Sequence, residues 1–272
     1  MFSNGQNMQQ FLDAALGAAT AAAGVIRDGY AGGFKVRTKA DASPVTEVDE
    51  AAEKTIKAHL AALFPDHGFY GEEFGIDRPD ADYVWLVDPI DGTKAFVRGY
   101  PMFSTQIALM HRGELIVGVS CAPCFGAGET FFAARGMGAW RCEGVDAKAA
   151  AASRVQVSRA ENYAETSLSM GNIATLAGQP RFARFAASVI PQLQRIRGYG
   201  DFLHYHLLAS AKIDAVLESD INILDIAALA VIVREAGGVF TELDGGQLTL
   251  ETGDALAAAT PELYRRLQRE LV

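Results

Sequence analysis

Basic charge, cysteine and unbroken apolar stretches are all scarce in this sequence, and each shortage excludes something. Lys and Arg number 24 against 33 Asp and Glu, a formal net charge of −9. Such a balance argues against nucleic acid or an anionic membrane as the main partner. An acidic protein that handles anionic substrates then needs local help, from metal ions or from helix N-termini. No Lys or Arg precedes Arg27, so a secretory signal peptide is not expected. The Ala-rich stretch from Ala14 to Ile26 is too short and too weakly apolar to span a bilayer and reads as a packed helix. The three cysteines, Cys121, Cys124 and Cys142, form no even disulfide framework and suit a reducing cytoplasm. Cys121-Ala-Pro-Cys124 has the spacing of a redox or zinc motif. It follows the apolar run LIVGVS and lacks a second ligand pair, so buried free thiols are expected. Internal repeats, low-complexity tails and long linkers are also missing.

What remains is ordinary for a globular chain with a substantial core: 272 residues, 50% hydrophobic and 21% charged. That length fits one large domain or two smaller ones sharing an interface. Residues 8 to 28 are helical by their Ala and Leu content. After the polar segment TKADASPVTEVDE, Thr46 is a helix N-cap with Asp49 three residues later in a capping-box position. Ile56, Leu60 and Leu63 share one face of the helix that follows, which Pro65 ends. Strand signals then dominate: YVWLV, FSTQIALM, ELIVGVS, GETFFAA and GAWRC, with His111-Arg112-Gly113-Glu114 as a hairpin turn. From about residue 155 strands (TSLSM, IDAVLE, GGVFTEL) alternate with helices (RFARFAASVI, DFLHYHLLASA, LDIAALAVIVREA). Mixed α/β layering follows, with a boundary near residues 145 to 155.

The chemistry concentrates in WLVDPIDGTKAF, residues 85 to 96. Trp85 to Val87 read as the last residues of a strand, which places Asp88 at its carboxyl end, where open α/β sheets seat ligands. Pro89 fixes a bend, Gly92 lets the main chain approach a ligand, and Thr93 can begin a helix whose free N–H groups face an anion. An isolated D-P-x-D is more simply an Asp-capped turn. Gly71-Glu72-Glu73 alone is an exposed turn, and Asp225 alone is an N-cap. Together they offer four acids and a hydroxyl, all hard oxygen ligands, which suit Mg²⁺ held beside a substrate phosphate. For such a site residues 72, 88, 91 and 225 must converge, free of Lys or Arg partners.

Four segments, SPVTEVD (43–49), GEE (71–73), DPIDGT (88–93) and LDIAAL…REAGG (224–238), together resemble the inositol monophosphatase family of Mg²⁺-dependent, Li⁺-sensitive phosphomonoesterases. The resemblance implies an αβαβα layered sandwich of the type shared with fructose-1,6-bisphosphatase. Residues 1–150 would form an α+β subdomain carrying the metal-binding loops, and 151–272 an α/β subdomain completing the site. By the same resemblance Glu72, Asp88, the Ile90 carbonyl and Thr93 would hold a first metal, and Asp88, Asp91 and Asp225 a second. Two or three Mg²⁺ ions are implied, with Mn²⁺ as a substitute. Asp49 would pair with the Thr93 hydroxyl, making Glu72, Thr93 and Asp49 the catalytic set around an attacking water. The amides of Gly92 and Thr93 would meet the phosphate, and Lys39 with the loop from Asp41 to Thr46 would be a mobile segment closing over the site. A homodimer acting on a small phosphorylated substrate is implied.

Within the family, DGTKAF and RGYGDF (residues 197–202) look most like the bacterial histidinol-phosphate phosphatase branch. Asp201 and Glu218 would then be the substrate-facing acids, since histidinol phosphate carries an ammonium and an imidazole where inositol is a neutral polyol. Asp201 could instead simply cap the helix that follows it. Leu224 departs from the aromatic residue that many relatives place before the late Asp. His204 and His206 alternate on a helix and so face different sides, as packing or surface residues, and His111 belongs to the hairpin turn. The competing expectations are hydrolysis of inositol 1-phosphate or a nucleotide 3′-phosphate, and a catalytically silent metal- or phosphate-binding module. Loss of one acid would mark the last; Glu72, Asp88, Asp91, Thr93 and Asp225 are all present.

Overall fold

A computed structural model of the chain describes residues 4–39, 44–146 and 152–271. The first helix, α1 (Asn4–Gly32), turns a face of small residues inward: Ala14, Ala15, Ala18, Ala19, Ala22, Ala23 and Ile26 are all buried. Side chains this short let α1 lie close against its neighbours, and alanine is also the best helix former. A short hairpin, β1 (Val36–Thr38) and β2 (Pro44–Thr46), leads into α2 (Glu47–Leu63). The expected capping box is present: the Thr46 side chain accepts from the Asp49 amide, and Asp49 accepts from the Thr46 amide. Ile56 and Leu60 are buried, but Leu63 is 55% exposed, against expectation. The helix ends there, and Phe64 takes the inward place, with its ring centroid 5.2 Å from that of Phe11 and 6.0 Å from that of Trp85.

Eight strands then make one sheet: β3 (Gly68–Gly71), β4 (Gly75–Asp77), β5 (Tyr83–Asp91), β6 (Ser104–His111), β7 (Glu114–Ala122), β8 (Glu129–Ala134), β9 (Gly138–Glu143) and β10 (Ser153–Val155). Their spatial order is β10-β9-β8-β7-β6-β5-β3-β4. Only β3 and β5 pair in parallel. The sequence places the end of β5 at Val87, yet the strand runs on through Asp91, with its register against β6 shifting between Asp88 and Asp91. A bulge of this kind tolerates Pro89 and re-aims the side chains beside it. The Thr105 hydroxyl on β6 donates to the Pro89 carbonyl at 2.9 Å and so holds the irregular segment. One short helix, α3 (Thr93–Val97), follows the bulge.

The second sheet holds β11 (Ser167–Met170), β12 (Arg195–Arg197), β13 (Ala215–Ser219), β14 (Val239–Thr241) and β15 (Asp254–Ala258) in the order β12-β11-β13-β15-β14. Between the two sheets lie α6 (Asp201–Ala209) and α7 (Ile223–Glu235). Every residue of α7 from Ile226 to Val233 is buried, as expected for a helix apolar on all sides. Its backbone presses on β7 so closely that a Cβ on Gly118 would fall 2.3 Å from the Ala228 carbonyl. Helices α1 and α2 cover the outer face of the first sheet; α5 (Pro180–Ser188) and α8 (Pro261–Arg269) pack with the second. The small helix α4 (Ile173–Ala177) follows β11. The layers therefore run helix, sheet, helix, sheet, helix, as expected. No helix among the described residues is long and apolar enough to cross a membrane. The cysteines are free, Cys121 and Cys142 buried and Cys124 half-buried; burial pushes the Cys121 thiol up to about 11, which suits an inert packing role.

Candidate active site

The bulge of β5, the turn after β3 and the N-terminus of α7 meet at one cleft of about 710 Å³. Oxygen atoms of Asp88, Asp91 and Asp225 all lie within 4.8 Å of one another. Local structure explains each placement. Asp88 accepts the Ile90 amide at 2.9 Å across the bulge. Asp225, at the third position of α7, accepts the Asn222 amide at 2.8 Å in a capping box; the N-cap itself is Asn222, three residues earlier than expected. Glu72 donates its amide to the Val87 carbonyl at 3.2 Å, which ties the GEE turn to β5; its carboxyl is a charged neighbour of Asp88 but is not one of the three acids that converge.

Crowding of like charge in a dry site shows in the proton affinities. Burial first, and then the neighbouring carboxylates, raise Asp88 and Asp91 well above the usual carboxyl range. Burial pushes Asp225 to about 7, with Glu72 and Glu218 adding to it. Among the described residues no Lys or Arg pairs with any of these three. Glu72 differs. The Lys39 ammonium stands 2.8 Å from it and 2.8 Å from Glu73, so the expectation that all four acids lack a basic partner is wrong for this one. The reason is local: β1 delivers Lys39 directly over the GEE turn. Burial opposes the charge on Lys39, but its bonds to Glu72 and Glu73 hold it above the ordinary ammonium range.

Thr93 and Asp49 meet as expected. The Thr93 hydroxyl lies 3.1 Å from Asp49 Oδ1 and 3.0 Å from the Ile90 carbonyl, its single proton set between two acceptors. Asp49 is fully buried and is fixed from the other side by the amide and hydroxyl of Thr46; burial raises its pKa against those hydrogen bonds. Gly92 sits at φ 94°, and a Cβ there would fall 2.6 Å from the Met102 carbonyl, so only glycine fits the turn. Thr46 thus belongs to a helix cap; Asp41 lies outside the described residues.

The opposite wall of the cleft carries Asp201 and Glu218. Asp201 is not the cap of α6: no side-chain capping bond exists there, and its backbone is left-handed at φ 45°, a conformation that costs a non-glycine residue about 1–2 kcal/mol. Desolvation and the facing Glu218 push its carboxyl to about 6. Glu218 is buried and receives the Tyr205 hydroxyl at 2.8 Å. His204 and His206 do face different sides, but neither is on the surface, being 0% and 1% exposed. His206 lies 2.9 Å from Glu129 and 2.8 Å from Ser120, away from the cleft. Leu224 is buried in the core between the sheets.

Sequence reasoning missed Glu53. Buried completely, it accepts the Glu73 amide at 2.8 Å and the Phe74 amide at 3.1 Å and so shapes the GEE turn from beneath. Its signal was available: it stands four residues after Asp49, on the same face of α2.

Hard oxygen donors only, three of them close and unpaired, fit a divalent cation; they do not fit a soft-metal or redox centre.

Comparisons with known proteins bear on the chain as a whole. The profile of the inositol monophosphatase family matches residues 7–272. A histidinol-phosphatase of Mycobacterium tuberculosis is 39% identical over 212 residues, 78% of this chain and 79% of that protein. An inositol-1-monophosphatase of Caulobacter vibrioides is 30% identical over 258 residues, 92% of this chain and 96% of that one. Among solved structures, an inositol monophosphatase from Anabaena superposes with a TM-score of 0.79 at 29% identity, covering 97% of this chain and 96% of that chain.

Proposed function

This chain belongs to the inositol monophosphatase family, is a phosphoric monoester hydrolase like its relatives, and from that premise we propose that it is Mg²⁺-dependent and prefers L-histidinol phosphate. The convergence of Asp88, Asp91 and Asp225 within 4.8 Å carries the mechanistic half. Divalent cations bound there would neutralise the phosphoryl oxygens and the leaving alkoxide and lower the pKa of an attacking water. Glu72, Asp88, the Ile90 carbonyl and Thr93 would hold one ion, and Asp88, Asp91 and Asp225 another. Asp49 keeps the Thr93 hydroxyl polarised, and that pair with Glu72 orients the water. Amides of Gly92 and Thr93 face the phosphate. No covalent nucleophile is assigned. The Lys39 ammonium beside Glu72 occupies a place where positive charge is wanted.

The substrate half rests on Asp201 and Glu218, acids suited to an ammonium and an imidazole, and on the similarity to a histidinol-phosphatase. Inositol 1-phosphate is the second reading, favoured by the Caulobacter relative, which matches over more of the chain. Phosphate release from histidinol phosphate, inositol 1-phosphate and a nucleotide 3′-phosphate, with and without EDTA, decides between them. We expect EDTA to abolish turnover and histidinol phosphate to lead by about tenfold or more in kcat/KM, the scale of a few well-placed polar contacts. A preference for inositol 1-phosphate overturns the substrate and leaves the chemistry. We also infer a division near residue 150, a cytoplasmic location and a homodimer, the last of which light scattering of the purified protein tests.

A further inference from the structure

Glu218 is held by more than one hydrogen bond, and all of them land on one oxygen. His204 Nε2 lies 3.0 Å from Glu218 Oε2, and the Tyr205 hydroxyl donates to the same atom at 2.8 Å. With Glu218 Oε2 as the acceptor, the hydrogen of His204 is assigned to Nε2. In a neutral ring Nδ1 is then an acceptor, and Ser169 Oγ stands 3.4 Å from it. Ser169 Oγ in turn accepts the Tyr199 amide at 3.2 Å. A relay therefore runs from the Tyr199 backbone through Ser169 and His204 to Glu218. Its origin is the G-Y-G-D turn that also sets Asp201 at the cleft, and His204 is three residues beyond Asp201 on α6. Burial and Glu218 hold the Tyr205 phenol well above its usual range, which keeps it a donor.

The other oxygen, Glu218 Oε1, takes no hydrogen bond among the described residues. It lies where a Cβ on Gly171 would come within 2.0 Å, so glycine at 171 is what leaves it room. Asp201 is near enough that Glu218 is its foremost charged neighbour.

We infer that His204 is a specificity-positioning residue: by pinning Glu218 Oε2 it leaves Oε1 to form, with Asp201, a two-carboxylate seat for the cationic end of an amino-alcohol phosphate. The inference rests on the substrate reading above and adds the residue that enforces it. Two donors on one oxygen also give the carboxylate a fixed direction, and the free oxygen can then accept a charge-assisted hydrogen bond from a substrate nitrogen.

The test is steady-state kinetics with saturating Mg²⁺ on histidinol phosphate and on inositol 1-phosphate, for wild type, His204→Leu, His204→Gln and Ser169→Ala. His204→Leu should raise KM for histidinol phosphate about tenfold while kcat moves less than about twofold, so the preference over inositol 1-phosphate collapses; one lost charge-assisted hydrogen bond is worth that much. Gln carries an N–H donor near the position of Nε2 and should restore most of the preference. Ser169→Ala should shift it the same way by about twofold to threefold. A folded His204→Leu enzyme that keeps the preference overturns the inference, as does a Gln variant no better than Leu. If His204→Leu does not fold, as thermal melting would show, Gln and Ser169→Ala decide. A wild-type enzyme without preference for the cationic ester overturns the substrate reading and this inference with it; a preference that survives His204→Leu overturns this inference alone.

Discussion

The two walls of the cleft treat their carboxylates in opposite ways. On the wall built by β5 and the start of α7, Asp88, Asp91 and Asp225 crowd together without a basic partner, and their proton affinities rise. On the wall built by α6 and β13, Glu218 is buried but has its own donors, His204 and Tyr205. Carboxylates crowded together with only neutral donors keep their mutual repulsion, which a cation from outside the chain would relieve. Glu218, with two donors on one oxygen, is aimed by them. The first wall is suited to bind ions, the second to tell one alcohol from another.

The strongest challenge to that contrast removes one acid from the first wall. Asp88→Asn or Asp225→Asn keeps the shape and takes away the charge, and should lower kcat by on the order of 100-fold or more while the melting temperature holds or rises. Unchanged turnover in either variant would defeat the metal assignment. Next in size is Gly71→Ala. Its Cβ would fall 2.0 Å from Glu53 Oε1, displacing the buried acid that shapes the GEE turn. We expect roughly 1–3 kcal/mol of destabilisation and an activating Mg²⁺ concentration raised about tenfold; an unaltered metal titration would show that Glu53 has no part in placing Glu72.

A smaller effect appears in stability against pH. Burial pushes the Asp225 carboxyl to about 7 and the Asp201 carboxyl to about 6, against about 3.9 when unfolded. Raised carboxyl values mean that the folded chain binds more protons than the unfolded one. Their contribution to stability therefore falls as pH climbs from about 4 towards about 7 and levels off above it. Cations bind the ionised form, so the rise in melting temperature on adding Mg²⁺ should be larger near pH 8 than near pH 5, and Asp225→Asn should remove most of it. A pH-independent increment would break the contrast between the walls. The smallest expected change is for Lys39→Ala. Removing an ammonium 2.8 Å from Glu72 should tighten divalent-ion binding by a few-fold, as expected for a partly exposed charge, measured by calorimetry without substrate; weaker binding would mean that Lys39 helps build the site.

The convergence on the first wall was legible in the sequence because its grammar is local, a proline and a glycine lying beside Asp88 and Asp91; the cap of α7 was misjudged, since Asn222 and not Asp225 is the N-cap. The layering was legible too, from the change of periodicity near residue 155 and from the all-apolar α7. The strand end at Val87 was misjudged because a bulge lets β5 continue past a proline. Leu63 was misplaced because helical periodicity does not reveal where the core ends. Lys39 on Glu72 and His204 on Glu218 join residues 33 and 14 apart, and such pairings depend on tertiary approach that no spacing encodes. Asp201 resembled a helix cap in type, and only its left-handed backbone shows otherwise.

One helix, α2, reaches both the GEE turn and the turn at Thr93. Asp49 holds Thr93, and Glu53 one turn later holds the amides of Glu73 and Phe74. An extra residue slipped between those two acids would swing the second by about 100° around the axis and strand it in the Ala-rich packing. Side chains on the outward face of that helix can therefore vary, yet the count between positions 49 and 53 cannot change without unmaking that pairing of turns.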